Sequence, residues 1–160
     1  MRVVVFSDTH GNLNNARRIM EKSSPRDCFI FLGDGEREIA SLRALYPDRE
    51  IHDVAGNCDR SGTAPGEDFL FVGNVKIAFF HGHNHLARLG IDRIVQFAKE
   101  NCAQIVLFGH THVRFYKYLP DDRLHILNPG SAALPRDEHP PSFAVIDVSD
   151  KGILCNIADI

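Results

Sequence analysis

Apolar residues along this chain fall into two kinds of run. Short β-branched or aromatic stretches ending abruptly in polar residues read as buried strands, at residues 2–7, 28–32, 51–55 and 105–108. Between them the apolar positions recur at helical spacing. Leu13, Ala16, Ile19 and Met20 predict a helix running to about Lys22, with Asn12 available as its cap. Ile39, Leu42, Leu45 and Tyr46 predict a second, stopped by Pro47. Ile91, Ile94, Val95 and Ala98 sit at i, i+3, i+4 and i+7 and predict a third.

Residues 69–72 and 75–80 flank Gly73-Asn74, a two-residue hairpin signal. The remainder reads as strands at 113–119, 124–127, 143–148 and 152–156. Pro120-Asp121-Asp122 and Asn128-Pro129-Gly130-Ser131 supply turns, and residues 135–141 form a polar, proline-rich loop. A β-α-β-α-β opening followed by hairpins predicts an α/β fold of two packed sheets with helices outside. With no internal repeat, linker or low-complexity tract, residues 1–160 read as one domain.

Composition narrows the class of function. A hydrophobic fraction of 44% and a charged fraction of 24% are those of a globular protein. The net charge of -3 and the scattered basic residues give no footprint for nucleic acid, and no apolar run approaches a membrane span. Cys28, Cys58, Cys102 and Cys155 show no C-x-x-C pair. Cys28, Cys102 and Cys155 lie in or beside apolar segments, so buried free thiols in a reducing, cytoplasmic setting are expected. The hairpin and the proline-rich loop are segments that could support a homo-oligomer.

Nine histidines is a high count, and five fall in two groups, His81-Gly82-His83-Asn84-His85 and His110-Thr111-His112. Each group follows a predicted strand, as do Asp8-Thr9-His10, Gly33-Asp34 and Gly56-Asn57-Cys58-Asp59. Alone, these motifs have ordinary readings: Asp8 as a helix cap, Asp34 as a turn residue, Asn57 as an Asx turn, His81 as a structural histidine. Gly109-His110-Thr111-His112 is the strongest, since two imidazoles at i and i+2 after a strand can chelate. Together they supply two carboxylates, one amide and four imidazoles from strand-end loops that can converge. That is too many donors for one tetrahedral ion and suits two sharing a carboxylate. Imidazole and oxygen without thiolate favours Mn²⁺, Fe, Zn²⁺, Ni²⁺ or Co²⁺.

The ordered set D-x-H, G-D, G-N-C-D, H-G-H and G-H-T-H, followed by Asn128-Pro129-Gly130-Ser131, resembles the calcineurin-like metallophosphoesterases. Within them it is most similar to the small YfcE-like phosphodiesterases, and the resemblance covers essentially the whole chain. It implies a four-layer sandwich of two mixed β-sheets flanked by helices. It further implies two divalent ions, manganese foremost, with Asp8, His10 and His112 holding one. Asn57, His81 and His110 would hold the other, and Asp34 would bridge. The Asn128-Pro129-Gly130-Ser131 turn would pack beside the site.

One position departs from the commoner pattern: many relatives carry a proton-donating histidine where Cys58 stands. A free thiol, with a pKa of about 8.5, is a poor substitute. His83 and Asp59 are the other candidates, and positioning a ligand is the favoured role for both. The expected activity is hydrolysis of a small phosphate ester, diester before monoester, by a hydroxide held between two metals. Two other readings remain. One is a non-catalytic scaffold of the same fold, similar to a trafficking-coat subunit, against which Asp34 speaks. The other is a mononuclear site of His81, His110 and His112.

Overall fold

A computed structural model of the chain describes residues 1–60 and 63–160. Among the described residues ten strands and three helices follow in order: β1 (Arg2–Phe6), α1 (Leu13–Lys22), β2 (Cys28–Phe31), α2 (Glu36–Leu45), β3 (Ile51–Asp53), β4 (Glu67–Val72) and β5 (Val75–Phe80). Then come α3 (Asp92–Glu100), β6 (Ile105–Phe108), β7 (Arg114–Leu119), β8 (Leu124–Pro129), β9 (Ser142–Ser149) and β10 (Gly152–Asp159). The first sheet runs β10-β9-β1-β2-β3 and the second β4-β5-β6-β8-β7. Each is mixed. The pairs β1/β2, β2/β3, β5/β6 and β6/β8 are parallel, while hairpin partners at the edges are antiparallel.

Period-two alternation on the central strands explains the four layers. Val3, Val5, Cys28, Ile30 and Leu32 face Ile77, Phe79, Ile105 and Leu107 across the space between the sheets. The alternate residues Val4, Phe6, Phe29 and Phe31 point outward and receive Ala16, Ile19 and Met20 of α1 with Ile39 and Leu42 of α2. Ala78, Phe80, Val106 and Phe108 receive Ile94 and Ala98 of α3. Parallel strands covered on both faces must be apolar at successive positions, which is why the runs read as continuous. The expected sandwich of two mixed sheets with helices outside is the observed architecture.

Asn12 caps α1 as expected, its Oδ1 accepting the Asn15 N–H at 3.1 Å. The helix from Ile39 starts earlier, at Glu36, because its cap comes from elsewhere in the chain (below). Asn128 and Pro129 are not turn residues but the end of β8, paired with Phe115 and Arg114 on an edge of the ladder. A 3₁₀ turn at Ala87–Leu89 was not anticipated, and β10 runs three residues further than the apolar pattern suggested. All four cysteines are free. Cys28 is buried and Cys155 partly so, but Cys102, expected buried, is exposed with Cys58. It lies just past the end of α3 in a positive-φ turn, where the neighbouring apolar residues are internal but the turn itself faces solvent.

Candidate metal centre

Every group singled out in the sequence leaves the carboxyl end of a parallel strand or the loop beyond it. Asp8 and His10 follow β1, Asp34 follows β2, Asn57 follows β3, His81 follows β5, and His110 and His112 follow β6. Those five strands are the parallel cores of the two sheets, so their ends open on one edge of the sandwich. The backbone there is strained in a systematic way. Asp8, His10, Asp34, His110 and His112 all adopt positive φ, between 40° and 66°. Left-handed backbone in non-glycine residues is uncommon and costs about 1–3 kcal/mol each, so five instances in one place need compensation from the site they build.

Glycines make the approach close enough. A Cβ on Gly56 would collide with the Asp34 carboxylate, and one on Gly109 with the Ser7 hydroxyl. These loops could not nest if either carried a side chain.

The donors meet in two groups. Asp8, His10 and His112 bring a ligand atom each within 4.8 Å of one another, and so do Asp8, Asp34 and His81. Asp8 Oδ1 stands 3.2 Å from His112 Nε2, 3.8 Å from His10 Nε2 and 4.0 Å from His81 Nε2. Asp34 Oδ2 lies 3.8 Å from His10 Nε2 and 3.5 Å from His81 Nε2, between the two histidine groups. Asn57 Oδ1 is 3.1 Å from His81 Nε2. His110 stands against the His81 ring, centroids 5.1 Å apart, but joins neither group among the described residues.

The far side of four donors, His81, His112, Asp8 and Asp34, is tied down. His81 Nδ1 donates to the Leu32 carbonyl at 2.7 Å and His112 Nδ1 to the Leu134 carbonyl at 2.6 Å. In a neutral ring, each Nε2 then presents a lone pair inward. Asp8 Oδ2 accepts the His110 N–H and Asp34 Oδ1 the Cys58 N–H. The inward Asp8 Oδ1 is buried and accepts no hydrogen bond among the described residues. Buried lone pairs converging without donors are costly unless a cation sits among them. The donor set therefore fits divalent metal.

Charge within the cluster follows the same geometry. Burial opposes ionisation of Asp34, but the hydrogen bond and charge of His81 outweigh it, with help from Cys58, and hold the carboxyl well below the usual range. Burial likewise works against a charge on His81, and Asp34 and Asp8 reverse it, raising the pKa. Burial, with His81 and Arg88 nearby, pulls His110 down to about 4, so its imidazole is neutral at physiological pH and able to ligate.

Of the three residues considered as proton donors, two are placed clearly. Asp59 is a latch: its carboxylate accepts the N–H groups of Asp34, Gly35, Glu36 and Gly56 at 2.7–3.0 Å. It caps α2, where Gly35 offers no side chain, and pins the Asp34 loop to the Asn57 loop. Cys58 is exposed, its thiol pushed up by burial of the sulfur and by Asp34. His83 lies beside His81 and His110, at 5.4 and 6.2 Å between ring centres, with a buried Nδ1 that has no hydrogen-bond partner among the described residues. His85 is used differently, stacked on Phe80 at 3.8 Å.

Sequence reasoning undervalued the supports. Ser131 donates to the Asp8 carbonyl and accepts the Ala133 and Leu134 N–H groups, so it positions Asp8 and the carbonyl behind His112. Asn128 donates to the Gly109 carbonyl and Thr111 Oγ1, bracing the His110–His112 loop. The motif containing both was visible; which neighbour each would hold was not.

Comparison with known proteins gives a consistent result. Residues 1–151 match the model of the calcineurin-like phosphoesterase superfamily domain. The chain is 31% identical over 152 residues to a Bacillus subtilis protein named "Probable metallophosphoesterase YsnB", covering 94% of this chain and 86% of that one. It is 24% identical over 192 residues to the phosphodiesterase YfcE of Escherichia coli K12, covering 99% and 98%. Vps29 of Entamoeba histolytica, solved as a zinc complex, superposes with a TM-score of 0.75 at 24% identity over 99% of both chains, a likeness of fold alone.

Proposed function

The chain belongs to the calcineurin-like phosphoesterase superfamily, and on that premise we propose that it hydrolyses small phosphate esters, diesters first, with two divalent ions. The observation that supports this reading most directly is Asp34 Oδ2 standing between His10 and His81, the place of a carboxylate shared by two ions. Asp8, His10 and His112 would hold one ion and Asn57, His81 and His110 the other; the mixed imidazole and oxygen donors favour a transition metal (Mn²⁺, Fe, Zn²⁺, Ni²⁺ or Co²⁺), with manganese foremost by the family resemblance. Bound there, the ions supply Lewis acidity that polarises a phosphoryl oxygen and lowers the pKa of water.

The protein's own part is to hold the donors' outer atoms, through Leu32, Leu134, Ser131 and Asp59, so that their inner atoms need not reorganise during the reaction. The leaving group departs without a strong acid beside it. Position 58 is a thiol, and the Asp59 oxygens are already filled by four N–H groups. Aryl esters should therefore turn over faster than alkyl esters. Free thiols fit a reducing, cytoplasmic setting.

The scaffold reading loses force because a non-catalytic protein has no need of an intact shared carboxylate or of five strained ligand residues. The test is a screen of aryl diesters, aryl monoesters and alkyl esters on metal-loaded protein, with Asp34→Asn and His81→Ala as controls. Turnover that survives both substitutions would place the catalyst elsewhere.

A further inference from the structure

We propose that Arg37 and Arg60 form a second anion site beside the metal centre, so that the natural substrate is a phosphate ester carrying a further phosphate group. This rests on the phosphoesterase reading and extends it to substrate class. A cleft of about 380 Å³ at the metal face is lined by His10, Asp34 and Cys58 together with Arg37 and Arg60.

Both arginines are exposed, and neither guanidinium has a hydrogen-bond or ion-pair partner among the described residues. Arginines elsewhere are either tied, as Arg2 is to Asp147, Arg43 to Asp53 and Arg114 to Asp159, or stand away from this cleft; Arg37 and Arg60 share it with His10, Asp34 and Cys58. The carboxylates of the same cleft are occupied. Asp59 holds four N–H groups and Glu38, buried, accepts the Thr9 hydroxyl. Glu36 is not free either. The cleft therefore has two uncommitted cations and no uncommitted anion to neutralise them.

The segments that carry them are also joined. Arg37 stands in the first turn of α2, and Arg60 follows Asp59 directly. Because Asp59 binds the N–H groups of Gly35 and Glu36, one carboxylate fastens both arginine-bearing segments together. Guanidinium groups carried on segments joined this way can meet the oxygens of a phosphate with several N–H donors. With one phosphoryl group at the metals, a second phosphate on the same molecule would lie in the cleft that the arginines line.

A matched pair of chromogenic esters tests this: thymidine 5′-(p-nitrophenyl phosphate) with and without a 3′-phosphate. Both release p-nitrophenol and differ in one phosphate. The expected result is a preference of about tenfold in KM for the phosphorylated substrate, the size of one charge-assisted hydrogen bond. In Arg37→Gln/Arg60→Gln that ratio falls towards one, and each single variant gives part of the loss. An unchanged ratio in the double variant, or no preference in the parent protein, overturns the proposal.

Calorimetric binding of thymidine 3′,5′-bisphosphate against thymidine 5′-phosphate gives the same ratio without turnover. Discrimination that survives where neither ester is hydrolysed would sink the phosphoesterase reading and keep the anion site. Equal binding of the two nucleotides, with esters hydrolysed normally, would do the reverse.

Discussion

The two sheets contribute different chemistry to one edge of the molecule. Loops leaving the first sheet bring the oxygen donors Asp8, Asp34 and Asn57 with a single imidazole, His10, whereas those leaving the second bring only imidazoles, His81, His110 and His112. Neither set is a metal centre alone. The supports cross between them: His81 of the second sheet is held by the Leu32 carbonyl of the first, and Asp8 of the first accepts the His110 N–H of the second. Each half is oriented by the other, so the packing of the sheets and the geometry of the site are one problem. The lesson is that the carboxylates Asp8 and Asp34 are fixed by backbone N–H groups, and the imidazoles of His81 and His112 by carbonyls at their outer nitrogen, while positive φ is shared by donors of both kinds.

The comparison breaks most visibly at Asp34, the carboxylate proposed to be shared. Asp34→Asn should lower turnover about a thousandfold or more, several kcal/mol of lost charge stabilisation. Metal content measured by elemental analysis should drop from near two ions per chain. A stoichiometry near one in the parent protein would instead favour the mononuclear site of His81, His110 and His112. Next in size is Asp59→Ala, which strips the latch from four N–H groups. It should cost about 2–3 kcal/mol in urea unfolding and roughly tenfold to a hundredfold in metal affinity. Full stability in this variant would mean the four hydrogen bonds do not hold the loops.

Gly109→Ala tests whether the sheets must approach as closely as they do. The new methyl would strike Ser7 beside Asp8, and a loss of about 1–3 kcal/mol is expected with weakened metal binding. Wild-type metal affinity in that variant would show that the loops have slack. The smallest effect is at the thiols. Cys58 and Cys102, exposed, should react with a disulfide reagent quickly, while Cys28 and Cys155 react only as the protein opens. Burial holds their pKa values up at about 12 and about 11, so at pH 8 the thiolate is scarce. Four equally fast thiols would contradict the packing between the sheets.

Much of this was written along the chain. Apolar alternation is a local consequence of a strand covered on both faces, so β1, β2, β5 and β6 were legible to within a residue, as was the capped start of α1. The places of the candidate donors after strands were legible for the same reason, since strand ends are local. The alternatives to which the sequence could assign Asp59 were separated by partners up to 25 residues away, and no local pattern encodes those. Cys102 was misplaced because its neighbours are buried and it is not.

The sequence by itself determined which residues could bind metal, the order in which they come and the two-sheet class that carries them. The tertiary structure alone decided that Asp34 stands between the histidine groups, that Asp59 is spent on holding loops, and that Asp8 Oδ1 is buried without a donor. It also decided that Arg37 and Arg60 face the same cleft. The physical reason is range. Side-chain periodicity is set by neighbours one to four residues away, while a metal centre is set by which long-range contacts survive when two sheets close on a common core.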